Sequence, residues 1–234
     1  MAQRVIETIG IDADDTLWHN EVHFQATQEQ LAELLAGYAS REALGARLNL
    51  VEHRNVRLYG YGIKGFTLSM IEAAIELSEG AIDAGCIREI IRLGQDMLAA
   101  PIEPLPGVAE TLEILRRDYR LVVITKGDLL DQEAKIARSG LGELIDDVFI
   151  VSEKTPDVYL RAFGGETGAS RAAMIGNSLK SDVIPALEAG AFGVYIPYHL
   201  TWALEHVETE PVDPRYRRLA QFDQVPAWLK GIGG

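Results

Sequence analysis

Apolar and polar positions alternate with three different rhythms along the 234-residue chain. The first rhythm is short. Val5, Ile6, Ile9 and Ile11 are apolar and β-branched, which suits a strand with both faces buried. The second runs from about residue 18 to about residue 100 and is helical. Ala26, Leu31, Leu34 and Leu35 predict a helix over 25–35, and Leu44, Leu48 and Val51 form the stripe of a more polar helix over 41–57. Met70, Ile71, Ala74 and Ile75 predict a strongly apolar helix over 68–77, ended by Gly80, and an amphipathic helix follows over 87–98. Three glycines in residues 59–66, Y-G-Y-G-I-K-G-F, mark a flexible loop or bend between them.

Pro101, Pro104 and the Pro106-Gly107 pair then interrupt the helical pattern, so a boundary is expected there. Beyond it the third rhythm alternates helix and strand. Helices are predicted over 108–117, 129–139, 157–163 and 182–189, and strands over 120–125, 147–152, 172–176 and 192–196. Such alternation implies parallel pairing through right-handed crossovers. The expected fold class is α/β: a doubly wound, Rossmann-like parallel sheet core from residues 1–17 and 101–234, with an α-helical bundle cap domain from residues 18–100. The tail after Pro197 is dotted with prolines and is expected to be irregular, with short helices around 200–207 and 215–221.

In a doubly wound sheet, ligands bind beyond the carboxyl ends of the strands. Four predicted strands end in polar residues suited to chemistry. The first ends at Asp12 and Asp14, the second at Thr125 in I-T-K-G, the third is followed by Lys154, and the fourth by G-N-S-L-K-S-D over 176–182. Two close carboxylates need a cation, a shared proton, or both. Any one of these motifs alone is a common loop or cap sequence; their convergence on one sheet edge carries the argument.

The first of them, D-A-D-D-T-L over residues 12–17, resembles the haloacid dehalogenase superfamily, whose opening motif is aspartate, one residue, aspartate, one residue, threonine. Asp15 stands where that family often has glycine. All four motifs occur in the family's order, and the helical insert lies where a cap is common. The resemblance implies a Mg²⁺-dependent hydrolase acting on a small phosphorylated metabolite. Asp12 would attack phosphorus, and Asp14, protonated at first, would protonate the leaving group and later deprotonate water. Thr125 would hold a phosphoryl oxygen and Lys154 would offset negative charge. Asp12, the Asp14 carbonyl and Asn177 would hold the metal, with Asp182 either a direct ligand or a support behind the ligands. Thr125, Lys126 and Gly127 would contact substrate, and the glycine-rich bend would either bring Lys64 to an anionic group of the substrate or be a packed helix-helix connection. Asn177 departs from the family's usual aspartate, which lowers the expected hold on a hard cation.

Composition narrows the picture further. With 22 basic against 35 acidic residues, the net charge of −13 disfavours nucleic acid and anionic membranes as partners. The single cysteine, Cys86, allows no internal disulfide and fits a reducing, cytoplasmic setting; it is expected as a small buried hydrophobe. Neither a secretion signal nor a membrane-length apolar run is evident, and nothing in the pattern sets an oligomeric state. His19, His23, His199 and His206 lack metal-pair spacing and are expected to be structural, as are Trp18 and Trp202. Two alternatives stand beside the phosphatase. One is a dehalogenase of the same fold, which would need no metal and, by resemblance, lacks the second aspartate. The other is a regulator that binds a phosphorylated ligand without turnover, supported by Asn177 alone.

Overall fold

A computed structural model describes residues 5–200, 202 and 205–232. Contacts divide the chain into two compact units, one of Met1–Glu21, Ile102–Lys126 and Gln132–Gly234, the other of Val22–Pro101 and Gly127–Asp131.

The first unit is built on a six-stranded sheet: β1 (Thr8–Ile11), β2 (Arg120–Lys126), β3 (Asp147–Val151), β4 (Ala172–Gly176), β5 (Phe192–Tyr195) and β6 (Tyr216–Arg218). The strand order is β3-β2-β1-β4-β5-β6 and every pairing is parallel. The order reverses between β1 and β4, and doubly wound sheets bind ligands outside such a switch point. Alternation along the strands feeds two cores. Ile9, Ile11, Leu121, Val123, Ala173 and Ile175 face one, and Val122, Ile124, Ala172 and Met174 face the other. Gly10 points to the second face because a Cβ there would lie 2.8 Å from Phe163 Cζ.

Ten helices accompany the sheet among the described residues. The second unit holds α1 (Glu21–Leu34) from its second residue onward, α2 (Arg41–Tyr59), α3 (Ile63–Leu77) and α4 (Ala84–Ala99). Leu31, Leu44, Leu48, Phe66, Met70 and Ile90 form its separate core. The remaining helices are α5 (Val108–Leu115), α6 (Leu129–Arg138), α7 (Pro156–Phe163), α8 (Glu166–Ala169), α9 (Ile184–Glu188) and α10 (Val225–Ile232). Side-chain caps start α2, α4 and α6: Ser40 Oγ accepts from the Ala43 N–H, Asp83 accepts from Gly85 and Cys86, and Asp128 Oδ1 accepts from the Asp131 N–H.

Several expectations are corrected. The glycine-rich segment is not one loop. Only Gly60–Tyr61–Gly62 breaks the helices, with Gly60 at φ 74° and Gly62 at φ 106°, and Lys64 and Gly65 lie in the first turn of α3. The tail helix expected over 215–221 is β6, which extends the parallel sheet beyond β5, followed by a short 3₁₀ turn (Phe222–Gln224) and α10. Of the other tail helix, residues 201, 203 and 204 lie outside the described residues. The helix expected over 182–189 begins instead as a π turn (Leu179–Val183) that passes into α9. Cys86 is only half-buried, in the first turn of α4.

Candidate active site

Strand β1 stops at Ile11, and the Asp12 N–H donates to the Ile175 carbonyl at 2.9 Å, so Asp12 is carried out at the switch point by one further rung of the ladder. Lys154 follows β3, and its ammonium donates to Asp12 Oδ1 and, at 2.6 Å, to Asp182 Oδ1. All three groups are buried. The π turn sets Asp182: it brings the Ser178 N–H to 2.9 Å from Asp182 Oδ2. Gly176 leaves the room, since a Cβ there would sit 2.2 Å from that same oxygen.

One ammonium thus faces two carboxylates. Burial, with Asp182 beside it, pushes the Asp12 carboxyl up to about 7 against the opposing pull of Lys154. Lys154 moves further up, because both carboxylates outweigh its own desolvation, and it remains an ammonium. Asp182, expected as a metal ligand, has both oxygens committed to Lys154 and to the Ser178 N–H. It holds the lysine rather than presenting a free oxygen.

Asp14 corrects another expectation. Its carboxylate accepts from Trp18 Nε1 at 2.8 Å, Gln132 Nε2 at 2.9 Å and Lys135 Nζ at 3.0 and 3.2 Å. Burial raises its pKa, but the Lys135 charge and the hydrogen bonds from Gln132, Trp18 and Lys135 outweigh burial and hold it below the usual carboxylate range. In this arrangement Asp14 is anionic, not protonated.

Asp15 adopts φ 62°, the left-handed region that favours glycine, and aspartate is among the few other residues that tolerate it. Its side chain accepts from the backbone N–H groups of Asn20 (2.8 Å) and Glu21 (3.1 Å) at the start of α1. Burial pushes its carboxyl up to about 7.

Among the described residues no three His, Cys, Asp or Glu side chains form a metal-holding group. The oxygens that do gather are Asp12 Oδ2, the Asp14 carbonyl and Thr16 Oγ1, around one terminal atom of the Asn177 carboxamide at 3.0, 3.3 and 3.3 Å. With the Asn177 carbonyl turned inward, that is one carboxylate and three neutral oxygens. The set fits Mg²⁺, which binds through one or two carboxylates and keeps several waters.

Thr125 is fully buried at the end of β2, its hydroxyl 3.4 Å from the Lys126 carbonyl. Lys126 donates to Glu205 at 2.6 Å. Gly127 takes φ 148°, which favours glycine, and groups with the helical unit. Lys64 also belongs to that unit, with its ammonium 2.8 Å from Asp128 Oδ1. The side-chain contacts therefore join Asp12, Lys154, Asp182, Thr16 and Asn177 directly. They place Asp14 in a neighbouring set of donors and Lys126 against Glu205, which also accepts from Ser178 and Ser181.

Three participants escaped sequence reasoning. Gln132 and Lys135 are buried while Leu129 and Leu130 at the head of α6 are exposed. Polar residues three apart on a helix whose leucines fall off the apolar stripe are the signal that could have found them. Glu205 accepts from Ser178 Oγ at 2.5 Å, from Ser181 Oγ and from Lys126, and nothing in the irregular tail marks it. His19 Nδ1 lies 2.6 Å from the Tyr198 hydroxyl, and Trp18 is buried.

A family model described as haloacid dehalogenase-like hydrolase matches residues 6–190. A haloacid dehalogenase-like hydrolase structure from Xanthomonas campestris is 39% identical, with a TM-score of 0.87 over 98% of this chain and 93% of that one. A 2-haloacid dehalogenase from Pseudomonas syringae pv. tomato, at 20% identity and TM-score 0.64 over 97% of this chain and 99% of that one, shares the fold. Glyceraldehyde 3-phosphate phosphatase of Methanothermobacter thermautotrophicus is 30% identical over 124 residues, 49% of this chain and 54% of that protein. Pyrimidine 5'-nucleotidase YjjG of Escherichia coli is 24% identical over 140 residues, 54% of this chain and 62% of its own. The matches thus span only about half to three fifths of those two enzymes. On the family match, the parallel sheet and the four motifs in order along it, the chain belongs to the haloacid dehalogenase-like hydrolases.

Proposed function

We propose that the chain is a Mg²⁺-dependent phosphatase that hydrolyses a small phosphate monoester through an aspartyl phosphate on Asp12. The observation that carries the reading is the two-sided surrounding of Asp12. One carboxylate oxygen meets Lys154, and the other meets the oxygen cluster of the Asp14 carbonyl, Thr16 and Asn177. Halide displacement from carbon has no use for the second side. The phosphatase and the nucleotidase among the relatives act in the same direction.

In this reading an Asp12 oxygen attacks phosphorus, the bond to the leaving oxygen breaks, and that oxygen takes up a proton. Lys154, pinned by Asp182, opposes the charge that gathers on the phosphoryl oxygens. The Thr125 hydroxyl and the backbone after β2 bind those oxygens. Asp14 has to exchange its bond to Lys135 and gain a proton before it protonates the leaving group. Its anionic form suits the second half, in which it takes a proton from water as that water attacks the acyl phosphate, releasing inorganic phosphate and Asp12. Asp12, the Asp14 carbonyl and the Asn177 carbonyl would hold Mg²⁺, which would supply charge neutralisation at the phosphoryl group.

The helical unit serves as the cap that selects the substrate, with Lys64 among its contacts. The net charge of −13 and the single cysteine support a cytoplasmic enzyme of small metabolites rather than a nucleic-acid or membrane protein; among the described residues no helix is long and apolar enough to cross a membrane.

The test is a panel of phosphorylated metabolites and p-nitrophenyl phosphate, with Mg²⁺ varied, run beside 2-chloropropionate. Phosphate release that needs Mg²⁺ and vanishes in Asp12→Asn is expected. Chloride release without metal, or Asp12→Asn protein that keeps wild-type turnover, would overturn the assignment.

A further inference from the structure

The Asn177 carboxamide has two orientations, and the surrounding atoms do not treat them alike. With its carbonyl inward, the oxygen lies 3.0 Å from Asp12 Oδ2 and 3.3 Å from the Asp14 carbonyl, both acceptors, and receives only the Thr16 hydroxyl at 3.3 Å. With its NH₂ inward, its two N–H bonds face three acceptors, Asp12 Oδ2 at 3.0 Å, Thr16 Oγ1 at 3.3 Å and the Asp14 carbonyl at 3.3 Å. The Thr16 hydroxyl is then free to donate to Asp12 Oδ2, 3.4 Å away. In the protein without a cation the second orientation sets donors against acceptors, and the first sets oxygen against oxygen beside a carboxylate.

A divalent cation at the same oxygens reverses that preference, because a cation is bound by the carbonyl and repelled by the NH₂. An aspartate at this position has no NH₂ to turn inward and would add a second negative charge against Asp12. Asparagine is the residue type that serves both states.

We propose that Asn177 is a reversible stand-in for the cation: its NH₂ clasps Asp12 and the Asp14 carbonyl when no metal is bound, and its amide turns over to present oxygen when Mg²⁺ enters. The clasp competes with the metal, so the site loads Mg²⁺ weakly and responds to its concentration. The cation-free site is in return held in its working geometry. This inference rests on the Mg²⁺ reading above.

The experiment combines Mg²⁺ calorimetry, thermal unfolding with and without Mg²⁺, and ¹H–¹⁵N spectra of side-chain amides, on wild-type protein, Asn177→Asp and Asn177→Ala. The Asn177 NH₂ pair is identified by its loss in both variants. In cation-free wild-type protein we expect that pair shifted downfield and slow to exchange with water; Mg²⁺ should move it upfield and speed its exchange. Asn177→Asp should bind Mg²⁺ about tenfold tighter or more, yet unfold about 3 °C or more lower than wild type without the metal. Asn177→Ala should lose stability without metal and gain no affinity. Calorimetric binding that leaves the NH₂ pair in place, or an Asn177→Asp protein as stable as wild type without metal, overturns the stand-in role while the Mg²⁺ reading survives. Absence of Mg²⁺ binding to both wild type and Asn177→Asp overturns the Mg²⁺ reading, and the stand-in role with it. If the variants fail to fold, the pair is assigned in wild-type protein by its nuclear Overhauser contacts to Thr16, 3.3 Å away, and its response to Mg²⁺ decides the question.

Discussion

Glu52 offers a sharp test of the physical reasoning because nothing nearby compensates it. It lies on α2 in the helical unit, 8% exposed, and its Oε2 has no hydrogen-bond partner. Burial alone pushes its carboxyl from 4.5 up to about 7. A raised acid binds protons in the folded state that the unfolded chain has already released, so its contribution is fully favourable below about 4.5 and is lost as pH rises through about 7. A shift of this size, at 1.36 kcal/mol per pH unit, corresponds to about 3 kcal/mol. Glu52→Gln removes the ionisation while keeping the shape. Near pH 5 the two proteins should be close in stability. Near pH 8.5 the glutamine protein should be the more stable by up to about 3 kcal/mol.

The three tryptophans lie outside the helical unit, so their fluorescence does not report on it. Amide hydrogen exchange read by mass spectrometry on peptides from α2 and α3 does. The expected pattern is opening free energies in wild-type α2 and α3 that fall between pH 5 and 8.5, and a flat response in Glu52→Gln after correction for intrinsic exchange. Identical pH dependence in the two proteins would show that Glu52 is ionised in the fold at neutral pH, and the burial argument would fail.

Lys135→Met removes the charge that holds Asp14 anionic; because Asp14 is depressed, the pair's stabilisation is present above the ordinary aspartate range and is lost as pH falls through the lower folded value. The variant should be less stable by about 3–5 kcal/mol in urea titration at pH 7, and the acid limb of its pH–kcat profile should move to higher pH. Asp15→Gly keeps access to φ 62° and loses the bonds from the Asn20 and Glu21 N–H groups and from the Tyr198 hydroxyl, about 1 kcal/mol. Asp15→Ala adds left-handed strain of about 1–2 kcal/mol, so its melting temperature should fall below that of Asp15→Gly; the reverse order would discount the backbone argument. Gly176→Ala puts a Cβ 2.2 Å from Asp182 Oδ2, so Lys154 should lose its second anchor and kcat should fall at least about tenfold, while a lone rise in KM would place the damage elsewhere.

What could be read from the sequence divides by physical cause. Strands β1, β2 and β4 were visible because both faces are buried and their residues are continuously apolar. Strand β6 was not: Tyr216, Arg217 and Arg218 carry no apolar run, and the segment is a strand because β5 offers it an open edge. The head of α3 was hidden by Gly62 and Gly65, read as one loop, although Gly65 is helical and a Cβ there would press 2.9 Å against the Gly60 carbonyl. The same division holds at the site. Asp12, Lys154 and Asp182 were legible because strand ends in a parallel sheet are forced together whatever the loops do. Which atom each carboxylate faces was not, since that depends on side chains from elsewhere in the fold. Lys135 makes Asp14 an anion, and Lys154 takes the oxygen that Asp182 was expected to give a metal. Asn177 lies on the boundary between the two kinds of knowledge. Its neutrality could be read from one letter, but not the choice between its two faces, which three oxygens 3.0–3.3 Å away decide. The residue types at a catalytic edge are therefore a property of the strand order, whereas their protonation and donor roles belong to the packing around that edge.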